Sequence, residues 1–163
     1  MYHSPETQFI APKNYIRQPQ IDTLLEKGSG VMNEDVLLVS SGVYGVFDGA
    51  TSLIPRQVDG KKTGGLMASE ISAEAFRSPH EALIEAAKEA NRLIQKKARL
   101  HGVNYLNKEE LWSTSAAVVK LEEDSFSWCQ IGDCTILVLY ADGGSKLHGS
   151  DYNHDLPTLA KWK

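Results

Sequence analysis

No apolar run in this 163-residue sequence is long enough to cross a bilayer. An excess of positive charge is missing too. Seventeen Lys and Arg stand against twenty-one Asp and Glu, a net charge of −4, which argues against a nucleic-acid-binding surface. The segment Met1 to Gln20 is polar, holds Pro5, Pro12 and Pro19, and contains no signal-peptide core. There is no internal repeat, low-complexity tract or heptad pattern. Cysteine is scarce: Cys129 and Cys134 have neither metal-ligand spacing nor partner histidines. They read as reduced structural thiols, with a cytoplasmic location as the default. If Gly132-Asp133 is a two-residue hairpin turn, Cys129 pairs with Ile136 and Cys134 with Ile131, which leaves the sulfurs badly placed for a disulfide. His3, His80, His101, His148 and His154 are scattered without helical metal-pair spacing. Trp112, Trp128 and Trp162 lack basic neighbours in a repeating pattern, so base stacking is not expected; Trp128 is assigned to the core.

What is present is an ordinary globular composition, 42% hydrophobic and 23% charged, in a chain long enough for one domain with a core. We expect an N-terminal arm over residues 1–25 and a domain over 26–163. Val36 to Phe47 reads as two buried strands split by a tight turn at Ser40-Ser41-Gly42. Ala50 to Gly65, with Pro55, Gly60, Gly64 and Gly65, reads as a loop. Leu66 to Phe76 has helical spacing, with Met67, Ile71 and Ala75 on one face. A second helix is expected from Ser78 as N-cap, with Pro79 at the first position and Glu81 closing a capping box. Its stripe is Leu83, Ala87, Ala90, Ile94 and Ala98, and it stops near His101-Gly102. Three strands follow: Thr114 to Leu121, the Phe126-Trp128 segment, and Cys134 to Tyr140, the last nearly all apolar and so expected at the centre of a sheet. The sum is a layered α+β domain.

The stretch Val43 to Gly49 ends an apolar run in a carboxylate and a glycine. Asn33-Glu34-Asp35 opens the run before it. Adjacent strands would bring Glu34, Asp35 and Asp48 to one end of a sheet. Clustered carboxylates repel one another unless a cation or protons offset them, and hard divalent cations prefer such oxygens. A plain turn at Asp48-Gly49 and a solvated loop at residues 33–35 account for the same letters.

The ordered motifs resemble the metal-dependent type 2C protein phosphatase (PPM) family, particularly its bacterial members. Asn33-Glu34-Asp35 is similar to the first acidic motif and Val43 to Gly49 to the V-x-D-G motif. Gly64 to Ser69 is similar to the glycine-led start of the first long helix, and Ser113 to Ala117 to the small-residue strand after the helices. Ile131 to Cys134 is similar to the G-D-S turn, followed by Tyr140 to Gly143. The match spans roughly residues 30 to 143 in the family's order.

The resemblance implies an antiparallel β-sandwich flanked by helices, and a centre of two Mn²⁺ or Mg²⁺ ions that hydrolyses phosphoserine and phosphothreonine in proteins. It makes Asp48 the carboxylate shared by both metals and Glu34 a direct ligand, these two carrying catalysis. Gly49 would lend its carbonyl, Asp35 would act directly or through water, and Asp133 would serve a third site; Gly132-Asp133 is equally a good hairpin turn.

Three departures accompany the match. Gly30 stands where relatives carry a phosphate-gripping arginine, with Arg17, Lys27, Arg56 and Lys61 as substitutes. Ala50 stands where some have a histidine. The later Asp-Gly and Asp-Asn motifs cannot be placed before Lys163, Asp151 and Asp155 fitting a polar loop better. We therefore expect a truncated or shortened domain, incomplete at its C-terminus, that either self-associates through uncovered sheet surface or is covered by its own arm. A non-catalytic phosphatase-like binding or regulatory module is the alternative, and a metal-free α+β structural domain the third reading.

Overall fold

A computed structural model describes residues 19–50, 58, 60 and 62–149. Residues 19–35 carry no helix or strand. The elements then run β1 (Val36–Ser40), β2 (Val43–Ala50), α1 (Gly64–Arg77), α2 (Leu83–Leu100), β3 (Ser113–Leu121), β4 (Phe126–Ile131), β5 (Ile136–Leu139) and β6 (Ser145–His148), with a short 3₁₀ turn at Lys108–Glu110. Strands β1 to β4 form an antiparallel sheet in chain order, and β5 pairs with β6 in a second sheet.

Register explains the layers. Directly paired residues share a face of a sheet. Leu38, Gly45, Val118 and Cys129 are one such row; Val36, Phe47, Ala116 and Ile131 are another. Both rows face the helices, packing with Ala73 and Phe76 of α1 and Leu83, Ala86 and Ala87 of α2. Phe47 is 1% exposed, with its ring 5.6 Å from that of Phe76. Burying a side chain of this size stabilises the fold by roughly 1.5–3 kcal/mol. A second cluster joins Met67, Ala68, Ile94, Ala98, Val103 and Trp112. The row Val39, Tyr44, Val119 and Trp128 faces away from the helices. There the ring of Trp128 lies 4.4 Å from His148 of β6, which sets the second sheet against the outer face of the first.

Several expectations need correction. The first two strands are buried on one face only, Val39 and Val46 being 50% and 43% exposed. Helix α2 starts four residues later than the capping box suggested, after Ala82, which makes no side-chain cap. Ser78 instead ends α1: its N–H and its hydroxyl both donate to the Glu74 carbonyl. Pro79 forces the residue before it out of the helical region, and Ser78 has ψ 145°. His80 thus lies between the helices, its Nε2 3.1 Å from the Ala75 carbonyl.

The apolar run after Cys134 does not form a central strand, and it does not pair with β4. Strand β5 pairs with β6 instead, so the expected pairing of Cys129 with Ile136 is absent. In β5, Leu137 and Leu139 are 59% and 73% exposed. Both cysteines are free. Trp128 is half-buried rather than core. The regions expected at Arg17, Arg56, Lys61, Asp151, Asp155 and Trp162 lie outside the described residues. Among the described residues, no helix is long and apolar enough to cross a membrane.

Candidate functional site

The carboxylates converge at one end of the four-stranded sheet because of the strand register. Val36 pairs with Phe47, so Asp35, one residue earlier, meets Asp48, one residue later. Asp48 in turn pairs with Ser115 of β3. Ile131 pairs with Ala116, which brings the turn at Gly132-Asp133 back over Ser115. Gly132 has φ 75°, a conformation glycine adopts without strain. A Cβ there would collide with the Ser115 hydroxyl.

Small polar groups hold each acid. The Asn33 Oδ1 accepts from the Asp35 N–H at 3.1 Å. Thr114 Oγ1 donates to the Asp48 carbonyl at 2.8 Å and lies 3.1 Å from Ser69 Oγ on α1. Ser115 Oγ donates to Asp133 Oδ1 at 2.5 Å. Glu34 is buried beside the start of α1, where unpaired helix amides favour an anion. Its Oε1 lies 3.0 Å from where a Cβ on Gly65 would stand. A Cβ on Gly49 would stand 2.6 Å from the Gly65 backbone and 2.7 Å from the Glu34 carbonyl. Only glycines let these three backbones close up.

The electrostatics match the geometry. The Asp48 carboxyl is raised above the ordinary aspartate range, first by loss of water around it. The charge of Asp35, a hydrogen bond with the Asp35 side chain, and the charges of Asp133 and Glu34 follow in that order. All of these influences act in one direction. The adjacent Cys134 thiol is pushed up to about 11 by burial and by the charges of Asp48, Asp133 and Asp35, with a hydrogen bond to the Asp48 backbone opposing them. A thiol held protonated is a poor nucleophile.

Three of the expected site residues, Glu34, Asp35 and Asp133, therefore act on a fourth, Asp48, with Gly49 packed between Glu34 and α1. Among the described residues, no three His, Cys, Asp or Glu side chains close on a common point as ligands of an ion would. The donor set is nonetheless all oxygen and all acidic, the chemistry a hard divalent cation takes. The Gly49–Gly65 contact leaves a cradle that any Cβ would fill.

Gly30 is exposed. Lys27, a substitute for the missing arginine, reaches the Val31 carbonyl at 3.4 Å. Thr114, Ser115, Gly65 and Cys134 were not singled out by the sequence reading as site residues. Thr114 and Ser115 enter through the pairing of β3 with β2, Gly65 through the close approach of α1 to Gly49, and Cys134 through its hydrogen bond to the Asp48 backbone.

A helix pair on one face of an antiparallel sheet, a second sheet on the other, and acidic residues at the strand ends define the fold of the metal-dependent type 2C phosphatases. A solved structure to which this chain is similar is the Mycobacterium tuberculosis serine/threonine phosphatase PstP/Ppp, with a TM-score of 0.57 and 15% sequence identity. The match covers 82% of this chain and 54% of that one, so the chain spans about half of that phosphatase's length. No protein-family model and no curated protein sequence matches the chain.

Proposed function

We propose that this chain carries the acidic centre of a metal-dependent protein phosphatase that hydrolyses phosphoserine and phosphothreonine. The observation that supports this most is Asp48: three carboxylates from two distant parts of the chain, Glu34 with Asp35 and Asp133, act on it, and all raise its pKa. Such mutual repulsion destabilises the fold unless protons or a cation offset it.

In this reading Asp48 would be the carboxylate shared by two ions, Glu34 and the Gly49 carbonyl would serve one of them, Asp35 would act directly or through water, and Asp133 would serve a third, weaker position. Bound Mn²⁺ or Mg²⁺ supplies a water of lowered pKa and offsets charge on the phosphoryl oxygens. The protein's own part is to hold the acids in place beforehand. Ser115 fixes Asp133, Thr114 fixes the strand carrying Asp48, and Asn33 fixes the turn carrying Asp35. Groups held this way need little reorganisation during reaction. The partner is a phosphoprotein, and the two free thiols go with a reducing, cytoplasmic setting. Association of two copies through the apolar outer face belongs to the same proposal.

The test is hydrolysis of a small aryl phosphate by the purified chain with Mn²⁺. Asp48→Asn is expected to lower the rate by at least about 100-fold, the upper end of what losing a group that merely orients a ligand costs. It is also expected to weaken Mn²⁺ binding in calorimetry. A rate that survives a chelator, or Mn²⁺ affinity unchanged in Asp48→Asn, would overturn the proposal.

A further inference from the structure

Trp112 is buried with Met67, Ala68, Ile94, Ala98 and Val103, but its indole also meets backbone. A Cβ on Gly64, the first residue of α1, would collide with the pyrrole side of that ring. The ring of His101, at the end of α2, lies 5.6 Å from the indole. Trp112 thus bridges the end of one helix and the start of the other.

The next residue of the same turn meets the acidic centre. A Cβ on Gly65 would stand 2.7 Å from the Ala50 carbonyl oxygen and 3.0 Å from Glu34 Oε1. The first turn of α1 therefore carries the indole at Gly64, and Glu34, Gly49 and Ala50 at Gly65. No side chain cushions either contact, and a close-packed interior passes a displacement on rather than absorbing it. Trp112 also leads directly into β3. Two residues on, Thr114 bonds the Asp48 carbonyl and reaches Ser69 of α1. This end of β3 grips α1 twice, by the indole at Gly64 and by a hydroxyl at Ser69.

We propose that Trp112 is a positioning residue of the acidic centre: its indole sets the depth at which the first turn of α1 seats against Glu34 and Gly49. The inference rests on the phosphatase reading for what the centre holds, Mn²⁺ or Mg²⁺, whereas the seating of α1 belongs to the chain alone. A smaller ring leaves Gly64 room to slide toward β3. A methyl on Gly64 drives the turn the other way. Either displacement moves the Glu34 carboxylate relative to Asp48.

The test is calorimetry of the full chain with Mn²⁺, with circular dichroism to check the fold of each variant. Gly64→Ala is expected to bind Mn²⁺ about tenfold more weakly, the scale of lost support behind a metal ligand. Alanine is the better helix former there, so a weaker helix does not account for such a loss. Trp112→Phe alone keeps an aromatic ring in the core and is expected to weaken binding about threefold, a partial loss of the same support. Gly64→Ala with Trp112→Phe gives the methyl room and is expected to recover to within about threefold of the wild type, the coupling that residues in contact show. Ile94→Val trims the same cluster from α2 and is expected to leave the affinity unchanged. In the metal-free chain, hydrogen exchange in peptides carrying residues 33–35 and 48–50 is expected to rise in Gly64→Ala and to fall back in the double variant.

Wild-type affinity in Gly64→Ala, a double variant no better than Gly64→Ala, or an equal loss in Ile94→Val would overturn the proposal. So would exchange at residues 33–35 and 48–50 that ignores Gly64→Ala. If Gly64→Ala does not fold, Trp112→Phe against Ile94→Val decides, and equal affinities in those two overturn the proposal. The phosphatase reading is judged separately. A wild type that takes up no Mn²⁺ removes that reading, and the exchange pattern then decides on Trp112 alone. Mn²⁺ uptake with no recovery in the double variant removes the role of Trp112 and leaves the phosphatase reading standing.

Discussion

Asp48 and Cys134 are neighbours in space but eighty-six positions apart in the chain, and the Asp48 charge changes the chemistry of the thiol. The negative charges around the Cys134 thiol, together with its burial, push it up to about 11. At about pH 8 only about one thiol in a thousand is then ionised. Alkylation of Cys134 by iodoacetamide is therefore expected to be slow at that pH and to rise steeply as the pH approaches the raised value. Mass spectrometry of the modified peptide measures it, and a rate equal to that of a free thiol would contradict the arrangement. Glu34, Asp35 and Asp48 were legible in the sequence because each sits where an apolar run starts or stops. Ser115 and Cys134 were not. Ser115 joins the site by pairing with Asp48, and Cys134 by a hydrogen bond to the Asp48 backbone from the segment after β4; such long-range contacts leave no local mark in the letters.

Helix α1 and the strand β3 were readable from local pattern alone: spacing of small and apolar residues for one, β-branched density for the other. The start of α2 was not, because Ser78 had two helices it could serve. The proline after it decided the matter in favour of α1. Strands β5 and β6 were misjudged for a related reason. An apolar run reveals that a segment is extended, but not which strand it will pair with.

The hairpin of β5 and β6 meets the main sheet through His148 on Trp128. Burial, then the charge of Lys146, lowers the His148 pKa below its ordinary value. For a base with a depressed folded-state pKa, the unfolded chain binds more protons in the window between the two values. Stability is thus fully present above the ordinary imidazole value and is lost as the pH falls through the lowered one. Urea midpoints of the wild type and His148→Gln, compared between about pH 7.5 and about pH 5, are expected to converge toward the acid end. A gap that widens in acid would reverse the sign of the argued effect.

The assembled layers leave apolar residues on the side away from the helices. Leu137, Leu139 and Leu147 share one face of the β5–β6 hairpin by register, and all are well exposed. With the proposed pairing of two copies through this face, sedimentation velocity is expected to show reversible association with a Kd on the order of micromolar. Leu137→Lys combined with Leu147→Lys is expected to shift the chain to monomer. A monomer at every concentration in the wild type would count against the pairing.

The order of elements, the amphipathic helices, and the acids at the strand ends follow from residue spacing, because periodicity and turn chemistry act over a few neighbours at a time. The pairing of Asp48 with Ser115, the approach of Asp133, and the partner of β5 follow from contacts between distant segments. Such contacts depend on one face of the sheet being buried against the helices, and a burial of that kind has no address in any single stretch of sequence.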